Sequence, residues 1–208
     1  MLITGVSTEE SVMNPNPSLN TLKELLYQVK GELAELESVY SILLERVEGM
    51  AEKAERDELS GLLRRKSFFD RWHALLDRCV SLGLESGVLI VDVDHFKKIN
   101  DTRGHAAGDE VIRRVGGILR RFESLGSVVG RYGGEEFVVA YTGGLERGLR
   151  ICSEIQSALP EVGVTASLGV DVGAVGSAPS LERADAALYQ AKRTGRNRTC
   201  VAGAASGE

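Results

Sequence analysis

With three cysteines, three histidines and no apolar run of membrane length, the chain lacks the residues on which several function classes depend. Cys79, Cys152 and Cys200 are scattered and have none of the short spacings of a metal knuckle. A zinc site and a disulfide framework are therefore excluded, and structural thiols in a reducing compartment are expected. His73, His95 and His105 show no i, i+4 pairing and are read as structural. No apolar stretch approaches the ~20 residues that a bilayer helix needs, so no membrane partner is expected. The start of the chain holds Glu9 and Glu10 but no Lys or Arg before Lys23, unlike a secretory signal, and a cytoplasmic location is expected. A basic excess is missing as well. The net charge is -5, with five Lys/Arg against ten Asp/Glu in residues 1–56 and twenty of each in 57–208. A broad nucleic-acid-binding face is excluded, and any phosphate ligand must be held by a few local groups.

What is present falls into two parts. Residues 1–18, with "NPNPS" at 14–18, show neither helical nor strand period and read as a flexible tail. From Ser18, a candidate N-cap, apolar residues recur in alternating steps of three and four: Leu19, Leu22, Leu26, Val29, Leu33, Leu36, Tyr40, Leu43, Val47, Met50 and Ala54. Such a seam predicts a coiled-coil dimerisation helix over 19–56. An amphipathic helix packed on its own domain is the alternative, but the narrow stripe and its Glu-rich flanks favour the coil. Tyr40 is an imperfect seam residue, and Gly31 weakens the helix by about 1 kcal/mol.

From Asp57 the texture changes. Helical periodicity at 67–84, 106–122, about 144–158 and 180–194 alternates with strands at 87–96 and 162–172 and with a strand, Gly-Gly turn and strand over 127–142. This alternation predicts an α/β domain with a mixed sheet flanked by helices. The strand "VLIVDVD" sends Asp92 and Asp94 to one face. Two carboxylates there repel unless exposed or bridged by a cation, and with the hairpin acids Glu135 and Glu136 they would offer hard oxygens to Mg²⁺ and substrate phosphates. Asp94 as a turn cap and Glu136 as the partner of an arginine are the plain alternatives. Gly133 and Gly134 permit positive φ in a tight hairpin and let a ligand approach the backbone. Lys97, Lys192 and Arg196 would neutralise phosphates, although cations on surface helices are usually just solvated.

"RYGGEEF" (131–137), "DVDHFKKINDTRGHAAGDEVI" (92–112), "VTASLGV" (164–170) and "ADAALYQAKRTGRN" (184–197) together resemble the GGDEF-domain diguanylate cyclase family in its GGEEF form. The resemblance covers about residues 57–200, leaving 201–208 as a flexible C-terminal tail. It implies a palm-like nucleotide-cyclase fold and the condensation of two GTP into cyclic di-GMP with release of two pyrophosphates. Asp92, the Val93 carbonyl, Glu135 and Glu136 would then bind Mg²⁺, or Mn²⁺, with two ions in each half-site. Glu135 is the candidate base and Lys97 the transition-state stabiliser. Asn100 and Asp109 would read the guanine edge, His95, Phe96, Gly133 and Gly134 would line the GTP site, and Lys192 and Arg196 would hold the terminal phosphates. Because each domain holds one GTP, the resemblance gives the heptad seam a purpose as a homodimer contact. The N-terminus is also where an unidentified regulatory protein would act.

The chain departs from the family pattern in two places. The usual D-x-L-T-G-L-x-N-R opening is "DELSGLLRR" at 57–65, with Ser60 for Thr and Arg64 for Asn, which touches coupling rather than chemistry. The R-x-x-D product-inhibition motif would fall on residues 124 and 127, which are Ser124 and Ser127, so no feedback through that site is expected. Two competing functions are a nonenzymatic nucleotide sensor and a relaxed cyclase that also accepts ATP. The intact GGEEF with Asp92 and Lys97 argues against the first, and Asp109, suited to guanine's N–H groups, against the second.

Overall fold

In the computed structural model, which describes residues 18–203, the run Ser86–Val93 is a strand buried along its whole length. The elements in chain order are α1 (Leu19–Glu55), β1 (Leu63–Arg64), α2 (Arg65–Leu82), β2 (Ser86–Val93), α3 (Phe96–Arg103), α4 (His105–Arg120), β3 (Ser127–Arg131), β4 (Glu136–Thr142), α5 (Leu145–Ala158), a 3-10 turn (Leu159–Val162), β5 (Ala166–Gly173), α6 (Leu181–Arg193) and β6 (Thr199–Val201). The chain divides into two compact units between Ala51 and Glu52.

In the first unit Ser18 acts as the expected N-cap, its hydroxyl accepting from the Thr21 N–H at 3.3 Å. Every large seam residue from Leu19 to Met50 is exposed, Leu22 to 49% and Leu19 to 68%. A continuous apolar stripe on a single helix is compatible with a coiled coil, and among the described residues nothing covers it.

In the second unit the sheet order is β1-β3-β4-β2-β5-β6. The central strand β2 is antiparallel to both β4 and β5, whereas β1 pairs with β3 and β5 with β6 in parallel. Strand alternation divides the core into two layers. Leu89, Val91 and Val93 pack with Val111, Val115 and Leu119 of α4 and Ile151 and Ile155 of α5. Val88 and Ile90 face the other way, onto Phe68 and Trp72 of α2 and Ala184 and Leu188 of α6. Two steps beyond Ile90, Asp92 therefore falls on the face that α6 covers.

Several sequence expectations need correction. The strand placed at 87–96 ends at Val93, because His95 takes a left-handed turn (φ 57) and the chain enters α3, a helix the sequence had not indicated. The strand expected from 162 begins at Ala166, after the 3-10 turn closes on Gly163 at φ 78. The short strands β1 and β6 were also not anticipated. The expected flexible tails at 1–18 and 201–208 lie, apart from Ser18 and Val201–Gly203, outside the described residues; Ala202 donates its N–H to the Val170 carbonyl at 2.8 Å. Cys79 and Cys152 are buried free thiols, Cys200 is a half-buried one, and burial pushes the Cys152 thiol up to about 12. No helix among the described residues is long and apolar enough to cross a membrane.

Candidate active site

The end of β2 gathers the charged residues. Register places Asp92 opposite Glu136 on β4 and Ser167 on β5, and neighbours across strands share a face. Asp92 is only 7% exposed, and its Oδ2 accepts a hydrogen bond from Lys192 Nζ at 2.7 Å. Burial pushes the Asp92 carboxyl above its ordinary value; Lys192 opposes this, Asp94 adds to it, and Arg196 draws it back down. Glu136 is also pushed up, first by burial and then by Asp92, with Asp185 and Glu135 adding and Lys192 opposing. The acids thus outnumber the cations around a half-buried point. Lys192 reaches Asp92 because α6 is anchored at its start. Asp171 on β5 accepts from the Ser180 N–H at 2.6 Å and from Arg183 Nε and Nη2 at 2.9 and 2.8 Å. Asp185 was missed by the sequence reading, although it lies about two helical turns before Lys192 and so on the same side of α6, a spacing that would have found it.

Asp94 resolves its share of the repulsion differently. It is 5% exposed, its Oδ1 accepts from Ser167 Oγ at 2.7 Å, and its Oδ2 accepts from Thr165 Oγ1 at 2.7 Å and from the Asn197 N–H at 3.0 Å. It is a fastening between β2, β5 and the turn after α6, and neither a simple turn cap nor a carboxylate facing an open site.

The hairpin between β3 and β4 is held by Arg131. Its Nη2 donates to the Gly134 carbonyl at 2.7 Å and its Nε to the Gly133 carbonyl at 3.2 Å, while Nη1 donates to Asp57 Oδ1 at 2.8 Å. Burial pushes the Asp57 carboxyl up, but hydrogen bonds from the Ser60 N–H, Arg131 and the Ser60 hydroxyl outweigh it and hold the group below its usual value. Of the two expectations for the hairpin glycines, the one of conformation fails, since neither Gly133 nor Gly134 has positive φ. A Cβ on Gly133 would lie 2.6 Å from Glu136 Oε2, so Gly133 makes room for that carboxylate, whereas Gly134 faces open space. Glu135 is half-buried, and its carbonyl accepts from the Val93 N–H at 3.3 Å, tying the hairpin to the end of β2.

Beyond His95 the chain forms a second group of candidates on α3 and α4. His95 and Lys97 are exposed, while Phe96 is half-buried against the core. Asn100 has a buried Oδ1 with no hydrogen-bond partner among the described residues. It rests against Gly108, where a Cβ would come within 1.9 Å of that oxygen. Asp109 follows directly and is exposed. An acceptor held bare beside a solvent-facing carboxylate suits a ligand that presents several N–H donors. The structure thus brings Asp92, Glu136, Lys192 and Arg196 into one electrostatic group with Glu135, and Asn100 and Asp109 into a separate patch.

Among the described residues no three acidic, histidine or cysteine side chains converge closely enough to hold a metal ion as they stand. The donor set is nonetheless of the right kind. Its members are hard oxygens, the buried Asp92 and half-buried Glu136 carboxylates are destabilised as anions, and the Lys192 ammonium already occupies the position of a counter-cation on Asp92. At the other end of β3, Ser124 and Ser127 exchange N–H to carbonyl bonds at 3.1 Å, and the Ser127 hydroxyl donates to the Phe122 carbonyl. A cleft of about 550 Å³ beside them is lined by Leu63, Arg71, Arg78 and Val129 among others.

Residues 54–198 match the family described as "Diguanylate cyclase, GGDEF domain". Among curated relatives, diguanylate cyclase DgcP of Pseudomonas aeruginosa is 35% identical over 168 residues, which is 75% of this chain and 25% of that protein. Diguanylate cyclase DosC of Escherichia coli is 35% identical over 191 residues, 84% of this chain and 40% of that one. The chain therefore spans well under half the length of these relatives. Among solved structures, the coiled coil and GGDEF domain of DgcB from Caulobacter crescentus, in complex with c-di-GMP, superposes with TM-score 0.71 at 30% identity, covering 84% of this chain and 99% of that one. Diguanylate cyclase SiaD of Pseudomonas aeruginosa, in complex with its activator SiaC, also gives 0.71, at 28% identity, covering 89% of this chain and 76% of that one.

Proposed function

The chain belongs to the GGDEF-domain diguanylate cyclase family, and from that premise we propose that it condenses two GTP molecules into cyclic di-GMP, releasing two pyrophosphates, with one GTP half-site on each of two copies. The observation that carries this reading is the pairing of buried Asp92 with Lys192 beside Glu136, an acid-rich point whose directly bonded cation is a lysine suited to phosphate. Asp92, the Val93 carbonyl, Glu135 and Glu136 would hold Mg²⁺ or Mn²⁺, two ions to a half-site. When bound, the metal offsets charge on the attacked α-phosphate.

The remaining steps belong to the chain's own groups. Asn100 Oδ1 accepts from guanine N–H, and Asp109 takes the N1–H and N2–H₂ side. Gly134 leaves the hairpin backbone open to the nucleotide, and His95 and Phe96 would line its site. Lys192 and Arg196 neutralise the terminal phosphates, and Lys97 supplies positive charge as the α-phosphate is attacked. Glu135 takes the proton of the opposing GTP's 3′-hydroxyl.

The exposed heptad stripe of α1 would close a parallel homodimer, raising the effective concentration of the second half-site. The same helix is where a regulatory protein would act. With Ser124 and Ser127 engaged in their own turn, we expect no product inhibition through that position. The substrate places this chemistry in the cytoplasm. The protein of residues 1–208 incubated with Mg²⁺ and GTP, ATP or both, with products separated by chromatography, tests the proposal. Cyclic di-GMP from GTP alone is the expected outcome, and its absence from a dimeric preparation would refute it.

A further inference from the structure

We propose that Asp94 is a positioning residue that sets Arg196 for the terminal phosphates of GTP, and that it takes no part in holding the metal. The inference rests on the reading of Arg196 as a phosphate ligand given above. It begins from the backbone after α6. Gly195, Arg196 and Asn197 have φ values of 123, 61 and 47, so a glycine is followed by two residues with side chains in the left-handed region. Non-glycine residues persist there only where surrounding bonds over-determine the turn.

Those bonds are few and identifiable. The Arg196 N–H reaches back to the Ala191 carbonyl at 3.0 Å, in the manner of a Schellman closure. Two residues on, the Arg198 carbonyl accepts from the Leu168 N–H at 2.9 Å and so joins the edge of β5. Between these, the Asn197 N–H donates to Asp94 Oδ2 at 3.0 Å. Within the turn Arg198 Nε donates to the Arg196 carbonyl at 3.1 Å, and Asp94 is the side chain from outside it that holds the middle, immediately after Arg196.

Its own orientation leaves it little freedom for another task. Ser167 holds Oδ1 while Thr165 shares Oδ2 with Asn197, and the Asp94 N–H donates to the Thr165 carbonyl at 2.9 Å. Both lone pairs of Oδ2 are used. The carboxylate satisfies a backbone N–H with a charge-assisted bond; an amide could keep its oxygen on Asn197 and Thr165 and turn its NH₂ to the Ser167 hydroxyl, so what it loses is the charge. Asp92 and Asp94, two residues apart, therefore divide the work. Asp92 faces Lys192 and Glu136, and Asp94 holds the turn from which the Arg196 charge acts on Asp92.

The division predicts separate readouts. In the protein of residues 1–208, Asp94→Asn should weaken inorganic tripolyphosphate binding roughly five- to tenfold by calorimetry, about half the scale of one charge-assisted bond. The KM for GTP should rise by a similar factor, with kcat changed much less. Mn²⁺ binding measured without nucleotide should stay at the wild-type level, while Asp92→Asn abolishes it. Combined with Arg196→Ala, Asp94→Asn should add little, because both remove the same phosphate contact. If Asp94→Asn does not fold, Thr165→Val, which strips a donor from the same Oδ2, should show the same pattern on a smaller scale. Loss of Mn²⁺ binding in Asp94→Asn, or full additivity with Arg196→Ala, overturns the inference. If Arg196→Ala loses tripolyphosphate affinity but Asp94→Asn does not, the inference alone fails. If Arg196→Ala itself keeps that affinity, the reading of Arg196 fails, and the inference with it.

Discussion

Replacing Lys192 by methionine should make the nucleotide-free protein bind a divalent cation more tightly, although it removes a proposed substrate contact. Lys192 Nζ lies 2.7 Å from Asp92 Oδ2, with the carboxylate side chain 9% exposed and the lysine 32%. A hydrogen bond between charged groups is worth about 1.5–3 kcal/mol, and the partial exposure of the lysine argues for the lower end. A metal arriving at Asp92 must displace this ammonium, so its removal should raise metal affinity about tenfold, the equivalent of about 1.4 kcal/mol. The GTP effect has the opposite sign, because a cation facing the phosphates is lost and KM should rise about tenfold. Methionine preserves most of the side-chain length, which limits repacking of α6. Without Lys192, burial would push the Asp92 carboxyl up further, so the titration belongs on the alkaline side of neutral, which favours the charged carboxylate in both proteins. Mn²⁺ binding followed by electron paramagnetic resonance, without nucleotide, is the direct assay. Affinity in Lys192→Met equal to or below wild type would refute the view that the lysine holds the metal's place.

Gly108→Ala should leave the fold intact, since alanine favours a helix by about 1 kcal/mol over glycine, yet cut GTP affinity at least about tenfold by displacing Asn100 Oδ1; circular dichroism and calorimetry together check both halves. The Asp57 carboxyl is held below its usual value, so its stabilising contribution is present above the unfolded value of 3.8 and lost as pH falls through the lower folded value. Asp57→Asn should therefore lower stability by about 1–2 kcal/mol at neutral pH, with the gap to wild type closing in acid, as urea melts across pH would show. Deleting residues 1–51 should convert a dimer to a monomer whose specific activity rises with protein concentration, measured by light scattering alongside product formation. A truncated protein fully active at low concentration would count against the coil.

Much of the architecture was legible because period and burial coincide. The continuous apolar run of β2, the 3.6-residue patterns of α4 and α5, and the heptads of α1 each follow from one-dimensional spacing. The misses have physical reasons. The helix α3 was hidden because its start depends on a left-handed backbone at His95, which no side-chain pattern announces. β1 and β6 span two and three residues and exist only because β3 and β5 offer them an edge. The glycines of the hairpin were correctly singled out, but for conformational freedom. The structure shows instead that Gly133 is needed for the space that Glu136 fills, a neighbour relation that sequence does not express.

By itself the sequence determined the mixed α/β sheet and named the candidates for the site, because these depend on local periodicity and on motif positions close along the chain. It could not apportion the acids. Asp92 and Asp94 look equivalent as neighbours on one face, and only the tertiary structure separates them. Lys192 comes to Asp92 from α6, while Thr165, Ser167 and Asn197 close around Asp94 from 71 to 103 residues away. A carboxylate's role is decided by the donors and charges that surround it in space, and those are delivered here by strand pairing and by the docking of a distant helix.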